Sequence, residues 1–426
     1  MDNNRRTAYE VLLAVESKEA YSNIALNDAV KRRSPEDEAF VRTLVYGVIE
    51  NQIYLDYKLA HFVRSGLKKV KRQALILLRM GAYQLEFLGG VPDYAAIDES
   101  VKIAKKVCRG LEGFINGVLR AYQRSSGGIC LPDSELDPVR ALSVRYSYTE
   151  DIAALWVRMF GLKDAERLMA AGNETPPLTV RVNPLRTDGE SLSETLRAKG
   201  FEAEVILDGM ALKLRGSGVL ADETEKKGLF SVQDVSSMKM IQALAPEKGD
   251  TVLDLCAAPG GKSLAAAERM GNEGRVISCD IYDHKLRLIE RAAQRLGVTI
   301  VETRKNDGAV FNEEFAGIAD KVIVDAPCSG LGVVRRKPEI KLHTYGKDLE
   351  HLADLQLQIL ETAARYLKPE GTMIYSTCTV SEIENRGVID RFLKKNKNFF
   401  AAEEKQLLPH IDNADGFYFC ALQRFE

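Results

Sequence analysis

Two cysteines, Cys328 and Cys378, are placed where thiol chemistry is possible. Each follows an apolar run, next to the predicted end of a strand, in the polar contexts Pro-Cys-Ser-Gly and Ser-Thr-Cys-Thr. If the runs are adjacent parallel strands, under about 5 Å apart, the two cysteines share one edge of a sheet. Either cysteine alone is more often a core residue, but the pair suggests thiols facing a cleft. A disulfide is geometrically possible but disfavoured in a reducing cytosol, and the seven cysteines contain no CxxC motif typical of zinc ribbons.

Three acids stand at or just beyond strand ends: Asp280, Asp307 and Asp325. In a parallel sheet ligands bind off the carboxyl ends of the strands. Asp280 lies where an acid accepts hydrogen bonds from ribose hydroxyls, and Asp307 can reach an adenine amino group. A single acid at a strand end is often a helix cap, whereas three together with a glycine turn are better explained by a nucleoside ligand.

That glycine turn lies within residues 251–262. Val252, Leu253 and Leu255 predict a buried strand, and a helix is predicted to begin near Lys262. Glycine lets backbone approach a ligand, and the helix N-terminus offers free N–H groups. Cys256 occupies the position where a P-loop needs glycine, so Walker chemistry is excluded. We expect a nucleoside cofactor to contact Cys256, Ala257, Ala258, Pro259, Gly260, Gly261 and Lys262, together with Asp280, Asp307 and Asp325.

From residue 239 onward, predicted strands and helices alternate, which indicates an α/β Rossmann-like domain with a mostly parallel, doubly wound sheet. The strands are expected at 251–255, 275–279, 299–303, 321–324 and 372–376, and the helices near 263–270, 284–296 and 349–367. Two last strands, near 399–403 and 417–423, are expected to lie antiparallel at one edge, joined by a turn at Asp415-Gly416.

Residues 1–130 predict an all-α bundle. Helical periodicity covers 5–16, 23–32, 36–57, 69–88, 94–107 and 113–124, with Ser34-Pro35 as a cap of the third helix. The first 125 residues hold five more basic than acidic side chains, in clusters that suit phosphate contacts or are simply solvated helix faces. The clusters are Arg64, Lys68, Lys69, Lys71 and Arg72, and Lys102, Lys105, Lys106 and Arg109.

Residues 131–238 predict a linker and a small α+β module. Thr149 is expected to cap a helix over 150–160 that Gly161 ends, and a second helix reaches 171. Strands are expected at 178–183, 205–207 and 211–214, with a helix over 191–199. Asp234 is as well explained as a helix cap as by a functional role.

Composition indicates an ordinary globular protein. The chain has 426 residues, is 45% hydrophobic and carries a formal net charge of −2. The overall charge therefore gives no indication of nucleic-acid binding. No apolar run reaches 18 residues, and the N-terminus lacks the apolar core of a signal peptide. We expect a cytoplasmic monomer without membrane contact or bound metal.

Four motifs give the catalytic region a resemblance to the Sun/Nop RNA cytosine-C5 methyltransferases. They are Asp254-Leu-Cys-Ala-Ala-Pro-Gly-Gly-Lys262, Asp325-Ala-Pro-Cys-Ser-Gly-Leu-Gly332, Arg335-Arg336-Lys337-Pro338 and Ser376-Thr-Cys-Thr379. Ser381-Glu-Ile-Glu-Asn385 only approximates the acidic Glu-Glu-Asn-Glu pattern of that family. Residues 1–125 resemble the helical RNA-binding domain of the NusB family through Val41-Arg-Thr-Leu-Val-Tyr-Gly47 and Phe114-Ile-Asn-Gly-Val-Leu-Arg120, among other segments.

The resemblance implies S-adenosylmethionine-dependent methylation of cytosine C5 in RNA, with 16S ribosomal RNA as the expected target. It assigns the nucleophile to Cys378 and gives Cys328 the task of helping to eliminate the enzyme from the product. Asp325 would hydrogen-bond the cytosine, and Lys262 is the nearest candidate cation to favour a thiolate. Arg335, Arg336 and Lys337 are expected to hold RNA phosphates, or to form a solvated loop.

Three other functions stay open from the sequence alone. The target could be transfer RNA, or the chain could be a non-catalytic NusB-like RNA-binding factor. A methyltransferase for exocyclic amines needs an Asn/Asp-Pro-Pro-aromatic turn, and this chain has Asp-Ala-Pro-Cys at that point.

Overall fold

The computed structural model describes residues 2–18, 22–216 and 218–425. The chain gathers into two compact units. One consists of residues 1–174 and 334–345, and the other of residues 175–333 and 346–426. The division at residues 130 and 238 expected from the sequence stays a prediction.

The first unit is helical, and its helices up to Ser125 form the all-α bundle predicted for residues 1–130. Its core is formed by fully buried side chains such as Leu26, Leu44, Leu78 and Ile115. The helices described in it are α1 (Asn3–Lys18), α2 (Ser22–Arg33), α3 (Glu38–Glu50), α4 (Gln52–Ala60), α5 (Arg72–Phe87), α6 (Asp93–Val107), α7 (Glu112–Ser125), α8 (Pro138–Tyr146) and α9 (Glu150–Ala171).

Three local predictions in this unit need correction. The helix predicted over 36–57 is two helices, divided at Asn51, whose side-chain amide donates to the carbonyl of Gly47. Ser34 does not cap α3. It has φ 45°, and Asp37 caps the helix by accepting from the Phe40 amide at 2.8 Å. Helix α8 begins with Pro138 at its first turn, inside the predicted linker, because Asp137 caps it.

Helix α9 contains the break predicted at Gly161. This glycine has φ 76°, a left-handed conformation that interrupts the helical path. Thr149 precedes the helix but makes no side-chain capping bond, and its hydroxyl donates instead to the carbonyl of His343.

Residues 334–345 return to the first unit from far along the chain. Within them Pro338–Leu342 forms a short 3-10 turn. Glu339 accepts from the Ser22 amide at 3.2 Å and from its hydroxyl at 2.8 Å, where the orphan donors of α2 begin. Leu342 packs against the helical core. This segment, called here the return segment, is therefore a structural part of the helical unit.

The second unit begins with a small antiparallel sheet whose strands lie in the order β2-β3-β1-β4. Leu192 and Leu196 of the covering helix pack on Val180 and Leu212. Its elements are β1 (Leu178–Val182), α10 (Gly189–Ala198), β2 (Glu202–Ile206), β3 (Ala211–Arg215), α11 (Glu223–Lys226) and β4 (Phe230–Val232).

A seven-stranded sheet follows, in the order β10-β11-β9-β8-β5-β6-β7. Strands β9, β8, β5, β6 and β7 are parallel, and β11 and β10 run antiparallel at one edge, as predicted. The elements are α12 (Val235–Leu244), β5 (Thr251–Asp254), α13 (Gly261–Arg269), β6 (Arg275–Asp280), α14 (Asp283–Leu296), β7 (Val301–Lys305), β8 (Ala319–Asp325), α15 (Asp348–Ala364), β9 (Leu367–Thr377), α16 (Arg386–Lys395), β10 (Phe399–Leu407), α17 (Pro409–Asp412) and β11 (Phe417–Arg424).

Two details of this sheet differ from prediction, and one open point is resolved. Helix α16 was not expected, and β10 connects to β11 through residues 408–416, which include α17, rather than through a tight turn at Asp415-Gly416. Asp234 is a helix cap, since its carboxylate accepts from the Ser236 amide at 2.9 Å.

Candidate active site

The register of β8 and β9 brings the two cysteine loops together. Asp325 at the end of β8 pairs with Ser376 of β9, and the Ser376 hydroxyl donates to Asp325 Oδ1 at 2.9 Å. A few residues further on, Cys328 Sγ and Cys378 Sγ lie 3.3 Å apart, within hydrogen-bond distance for sulfur. Both thiols are half-buried. The two strand ends thus form a thiol pair beside a carboxylate.

Lys262 joins this cluster from the first turn of α13. Its Nζ lies 2.6 Å from Asp325 Oδ2 and 5.4 Å from the centre of the Phe417 ring. Burial alone would lower the pKa of Lys262, but the charge and hydrogen bond of Asp325, with a smaller effect from Cys378, raise it above the usual value. Lys262 is therefore a firmly protonated cation close enough to act on Cys378.

The two thiols have different electrostatic surroundings. The pKa of Cys328 is raised well above its ordinary value, first by the hydrogen bond with Cys378, then by burial, and further by the charges of Cys378 and Glu384. A thiol with such a pKa keeps its proton at neutral pH. Cys328 therefore stays a neutral thiol.

The glycine turn has the backbone geometry that a close ligand approach needs. Gly260 has φ 105°, and a Cβ placed on it would lie 3.2 Å from Ile289 Cγ2, so only glycine is comfortable there. Helix α13 begins at the next residue and leaves its first N–H groups at the turn. Burial, followed by the charge of Asp254, raises the pKa of Cys256, which leaves an inert thiol under the turn.

The acids after β6 and β7 each close a tight loop. Asp280 Oδ1 accepts from the Tyr282 amide at 3.0 Å, and Asp307 Oδ1 accepts from the Ala309 amide at 2.9 Å. Each carboxylate keeps its second oxygen for other partners, and Asp280 Oδ2 lies 3.8 Å from Lys285 Nζ. Asp280 and Asp307 can therefore close their loops with one oxygen and accept a hydrogen bond from a ligand hydroxyl or amine with the other.

Sequence reasoning missed two apolar residues and one acid at this edge. Ile281 and Tyr282, directly after Asp280, are 46% and 49% exposed, and Lys285 Nζ lies 4.8 Å from the centre of the Tyr282 ring. Asp254 is fully buried. It accepts from Ser263 Oγ at 2.6 Å, while its Oδ1 has no partner among the described residues. The sequence does contain signals for them: two apolar residues follow the strand-end acid Asp280, and the acid Asp254 interrupts an otherwise apolar strand.

These features fit S-adenosylmethionine. The cofactor carries an amino group, ribose hydroxyls and an aromatic base, which need acceptors, a glycine cradle and an apolar surface. Burial raises the pKa of Asp254 to about 7, and the charge of Asp325 adds to this rise, against the opposing hydrogen bond of Ser263. The unpaired oxygen of Asp254 and the tight Gly260 turn are the observations that carry the fit.

Arg181 of β1 supports the glycine turn from the small sheet. Its Nε and Nη2 donate to Glu268 of α13 at 2.7 and 3.0 Å, and its Nη1 donates to Gln233 and, at 3.0 Å, to the carbonyl of Gly261. Both members of the Arg181–Glu268 pair are nearly inaccessible. The small sheet is thus fastened to the helix that follows the turn.

The predicted RNA contacts Arg335, Arg336 and Lys337 lie in the return segment and so belong to the first unit. Arg335 and Arg336 are half-buried, and Lys337 is exposed. The structure does not group them with the thiol pair inside one compact unit.

Neither a membrane-spanning helix nor a metal-holding cluster is found among the described residues. None of the described helices combines the length and apolarity needed to span a bilayer. Likewise, over residues 2–18, 22–216 and 218–425, no group of three or more His, Cys, Asp or Glu side chains is arranged to hold a metal ion.

Family models match three consecutive parts of the chain. The NusB family matches residues 2–124, a ferredoxin-like domain of RsmF/B-like methyltransferases matches residues 152–218, and the family described as 16S rRNA methyltransferase RsmB/F matches residues 241–423. The small sheet of the second unit thus contributes to a ferredoxin-like module.

Similar proteins cover between 68% and 99% of this chain. The chain is 39% identical to the "Probable ribosomal RNA small subunit methyltransferase B" of Bacillus subtilis, over 99% of this chain and 98% of that protein. A methyltransferase homologue from Pyrococcus horikoshii is 26% identical, with a TM-score of 0.61 over 68% of this chain and 99% of that one. The crystal structure of PH0851, at 22% identity, shares the fold with a TM-score of 0.84 over 99% and 98% of the two chains. The chain belongs to the family of ribosomal RNA small subunit methyltransferase B.

Proposed function

We propose that the protein methylates C5 of a cytosine in 16S ribosomal RNA through a covalent adduct between Cys378 and C6 of the base. The observation that carries this proposal is the 3.3 Å separation of Cys328 and Cys378 beside the Lys262–Asp325 pair. A reaction in which the enzyme only had to add to the base would need one thiol. Two thiols at neighbouring strand ends suit a reaction in which the enzyme must both bond to the base and leave it.

The chemistry explains why a thiolate is needed. C5 of cytosine is a poor nucleophile, and addition of Cys378 to C6 turns the ring into an enamine that attacks an electrophile from C5. Lys262 favours the thiolate by its positive charge. Asp325, held by Lys262 and Ser376, would hydrogen-bond the cytosine near N3 and exocyclic N4. The Lys262 cation beside it offsets the negative charge that develops on the ring as the adduct forms. The C5 proton then passes to a water molecule and the C6–S bond breaks, with its electron pair returning to Cys378 as a thiolate. The Cys328 thiol assists this step by hydrogen-bonding the departing sulfur.

S-adenosylmethionine supplies the methyl group in this proposal. The turn Cys256–Lys262, with Gly260 and Gly261 at its centre, would lie against its polar end, while Asp280 would accept from the ribose and Asp307 from the adenine amine. Ile281 and Tyr282 would cover the base.

The substrate is an RNA whose target base can leave its stack. A thiol at a strand end cannot reach C6 inside a duplex, so a loop or a partly opened segment is required. The small-subunit target rests on the names of the relatives. Arg335, Arg336 and Lys337 would hold flanking phosphates. Naked RNA and a partly assembled subunit both meet these requirements.

The test compares single cysteine variants on 16S RNA transcripts with labelled S-adenosylmethionine. Cys378→Ala should abolish methyl transfer, because it removes the sulfur that bonds to C6. Cys328→Ala should accumulate an RNA complex that migrates slowly on a denaturing gel. Cys130→Ala, which alters an exposed thiol, is the matched control. Normal methylation by Cys378→Ala would overturn the proposal, and bisulfite sequencing of the product identifies the modified cytosine.

A further inference from the structure

Glu384 is a fully buried carboxylate in the turn between β9 and α16. Its Oε1 accepts from the Ser329 amide at 2.8 Å, and its Oε2 accepts from the Ser329 hydroxyl at 2.6 Å. The hydroxyl of Thr379 lies 3.4 Å from the same Oε2. Ser329 and Thr379 are the residues that follow Cys328 and Cys378, so one carboxylate contacts both cysteine loops.

Gln356 of α15 extends these contacts. Its Nε2 donates to Glu384 Oε1 at 3.1 Å and to the carbonyl of Pro327, the residue before Cys328, at 2.9 Å. The Cys328 loop is therefore held on both sides of its thiol. The Ser329 and Thr379 hydroxyls also lie 2.8 Å apart and link the loops directly.

Asn385 completes the support on the Cys378 side. Its Oδ1 accepts from the Thr377 hydroxyl at 2.6 Å, and its Nδ2 donates to the carbonyl of Thr379 at 3.1 Å. Glu384, Asn385 and Gln356 together thus hold the residues on either side of both sulfur atoms.

The charge of Glu384 distinguishes the two thiols. Burial raises the pKa of the Glu384 carboxyl, while its hydrogen-bond donors oppose that rise. The Ser329 amide, the Ser329 hydroxyl and the Gln356 amide donate to Glu384. Such converging donors suit an ionised carboxylate, because that group only accepts. Its negative charge contributes to keeping the proton on Cys328, whereas the cation Lys262 acts on Cys378. The surroundings therefore favour a protonated Cys328 and place the cation Lys262 near Cys378.

We propose that Glu384 is the positioning residue of the thiol pair: its carboxylate ties the Cys328 loop to the Cys378 loop and holds the two sulfur atoms within hydrogen-bond distance. The catalytic importance of this role rests on the proposed two-thiol reaction. The geometric part of it can be measured without RNA.

The first measurement is the rate of cross-linking between Cys328 and Cys378 by diamide, which accepts two electrons and two protons as the two thiols become a disulfide. Peptide mass spectrometry identifies the product. Sulfur atoms 3.3 Å apart should react quickly. Glu384→Ala should slow cross-linking by about 10-fold or more, the effect of losing one or two hydrogen bonds. Glu384→Gln, which retains a carbonyl acceptor, should recover part of the rate.

The control is Glu382→Ala, which removes an exposed carboxylate two residues away and should cross-link as the unaltered protein does. Calorimetric binding of S-adenosylmethionine reports whether each variant is folded. If Glu384→Ala does not fold, the double variant Ser329→Ala/Thr379→Val removes the same hydroxyl anchors and should slow cross-linking in its place. Cross-linking at the unaltered rate in either variant overturns the inference.

The second measurement is methylation under steady-state conditions. Glu384→Ala should lower kcat by about 100-fold, the scale of a misplaced reacting group, while KM for S-adenosylmethionine stays within about twofold. Equal losses through KM would show a merely structural role. Should Cys378→Ala remain active, the proposed function fails while the cross-linking result stands. Unchanged cross-linking in Glu384→Ala with an inactive Cys378→Ala instead removes only the inference about Glu384.

Discussion

Lys262 Nζ lies 2.6 Å from Asp325 Oδ2, and the other oxygen of the same carboxylate accepts from Ser376 at 2.9 Å. Asp325 is thus held at both oxygens by residues from α13 and β9. The pair lies between the glycine turn and the thiols, so one ion pair joins the turn to the loop that carries Cys328.

Replacing Lys262 with Met should lower kcat by about 100-fold, the scale seen when a preorganised electrostatic contact is removed. The variant loses the cation that acts on Cys378 and leaves Asp325 free to rotate. Initial rates of methyl transfer provide the measurement. Lys248→Met removes a surface cation paired with Glu273 and should leave the rate unchanged. A Lys262→Met enzyme with normal kcat would contradict the role given to this lysine.

Arg181→Ala should destabilise the second unit by about 3–5 kcal/mol, because it leaves the buried carboxylate of Glu268 without its partner. It should also weaken S-adenosylmethionine binding about 10-fold, since the carbonyl of Gly261 loses a donor. Urea unfolding followed by circular dichroism and calorimetric titration measure the two effects.

Arg181→Lys should not restore either property, because an ammonium cannot reproduce the two-pronged contact with Glu268. Arg215→Ala, which removes an exposed arginine 3.8 Å from Glu202, is the matched control and should change unfolding by less than about 1 kcal/mol. Full rescue by lysine would argue against the bidentate contact as the source of stability.

Lys341 of the return segment should make the stability of the first unit depend on pH. It is fully buried, donates to Asn173 Oδ1 at 2.7 Å and to the carbonyl of Tyr146 at 3.2 Å, and lies over the Tyr148 ring. Burial lowers the pKa of Lys341 to about 7, against the opposing charge of Glu50. Between pH 7 and about 10.5 the unfolded chain holds a proton that the folded chain lacks, so stability contributed by this group rises with pH.

Urea unfolding at pH 7, 8 and 9 tests this dependence through Trp156, the single tryptophan, which is buried against Tyr148. The difference between the unaltered chain and Lys341→Met should grow with pH in favour of the unaltered chain, by at most about 1.4 kcal/mol per unit. Lys69→Met, an exposed site in the same unit, should show a constant difference. Parallel pH curves for Lys341→Met and the unaltered chain would rule out a depressed pKa.

Gly332→Ala should abolish activity and destabilise the second unit. A Cβ at this position would lie 1.9 Å from the carbonyl oxygen of Gly416 and 2.9 Å from that of Cys378. Both are backbone atoms, so the Cys378 loop would have to move. Methylation rate and thermal unfolding are the readouts. Gly113→Ala in α7, where a Cβ meets nothing within 4 Å, should be neutral or stabilising by up to about 1 kcal/mol. Normal methylation by Gly332→Ala would show that the loop tolerates displacement.

The sequence predicted the sheet, its antiparallel edge and the helical first unit because each depends on local periodicity and turn residues. It also predicted that Cys328 and Cys378 would be neighbours, because parallel register places successive strand ends together. Asn51 escaped prediction, since the apolar spacing continues across it and only the backbone turn divides the helices.

Other features depend on contacts between distant residues, which periodicity does not encode. The pairing of Glu384 with Ser329 spans 55 positions, and that of Glu339 with Ser22 spans 317. Each appears in the sequence as an unremarkable acid. Only the folded chain shows that one carboxylate joins the two cysteine loops and that the other caps a helix.

The return segment has a consequence for dissecting the gene. A polypeptide that stops at residue 174 lacks Glu339, Lys341 and Leu342, so it would leave the Ser22 donors and the Asn173 acceptor without these partners. During synthesis, the ribosome must pass residue 345 before the helical unit has all of its parts. A chimaera that exchanges this unit between relatives must therefore transplant two separate stretches of coding sequence.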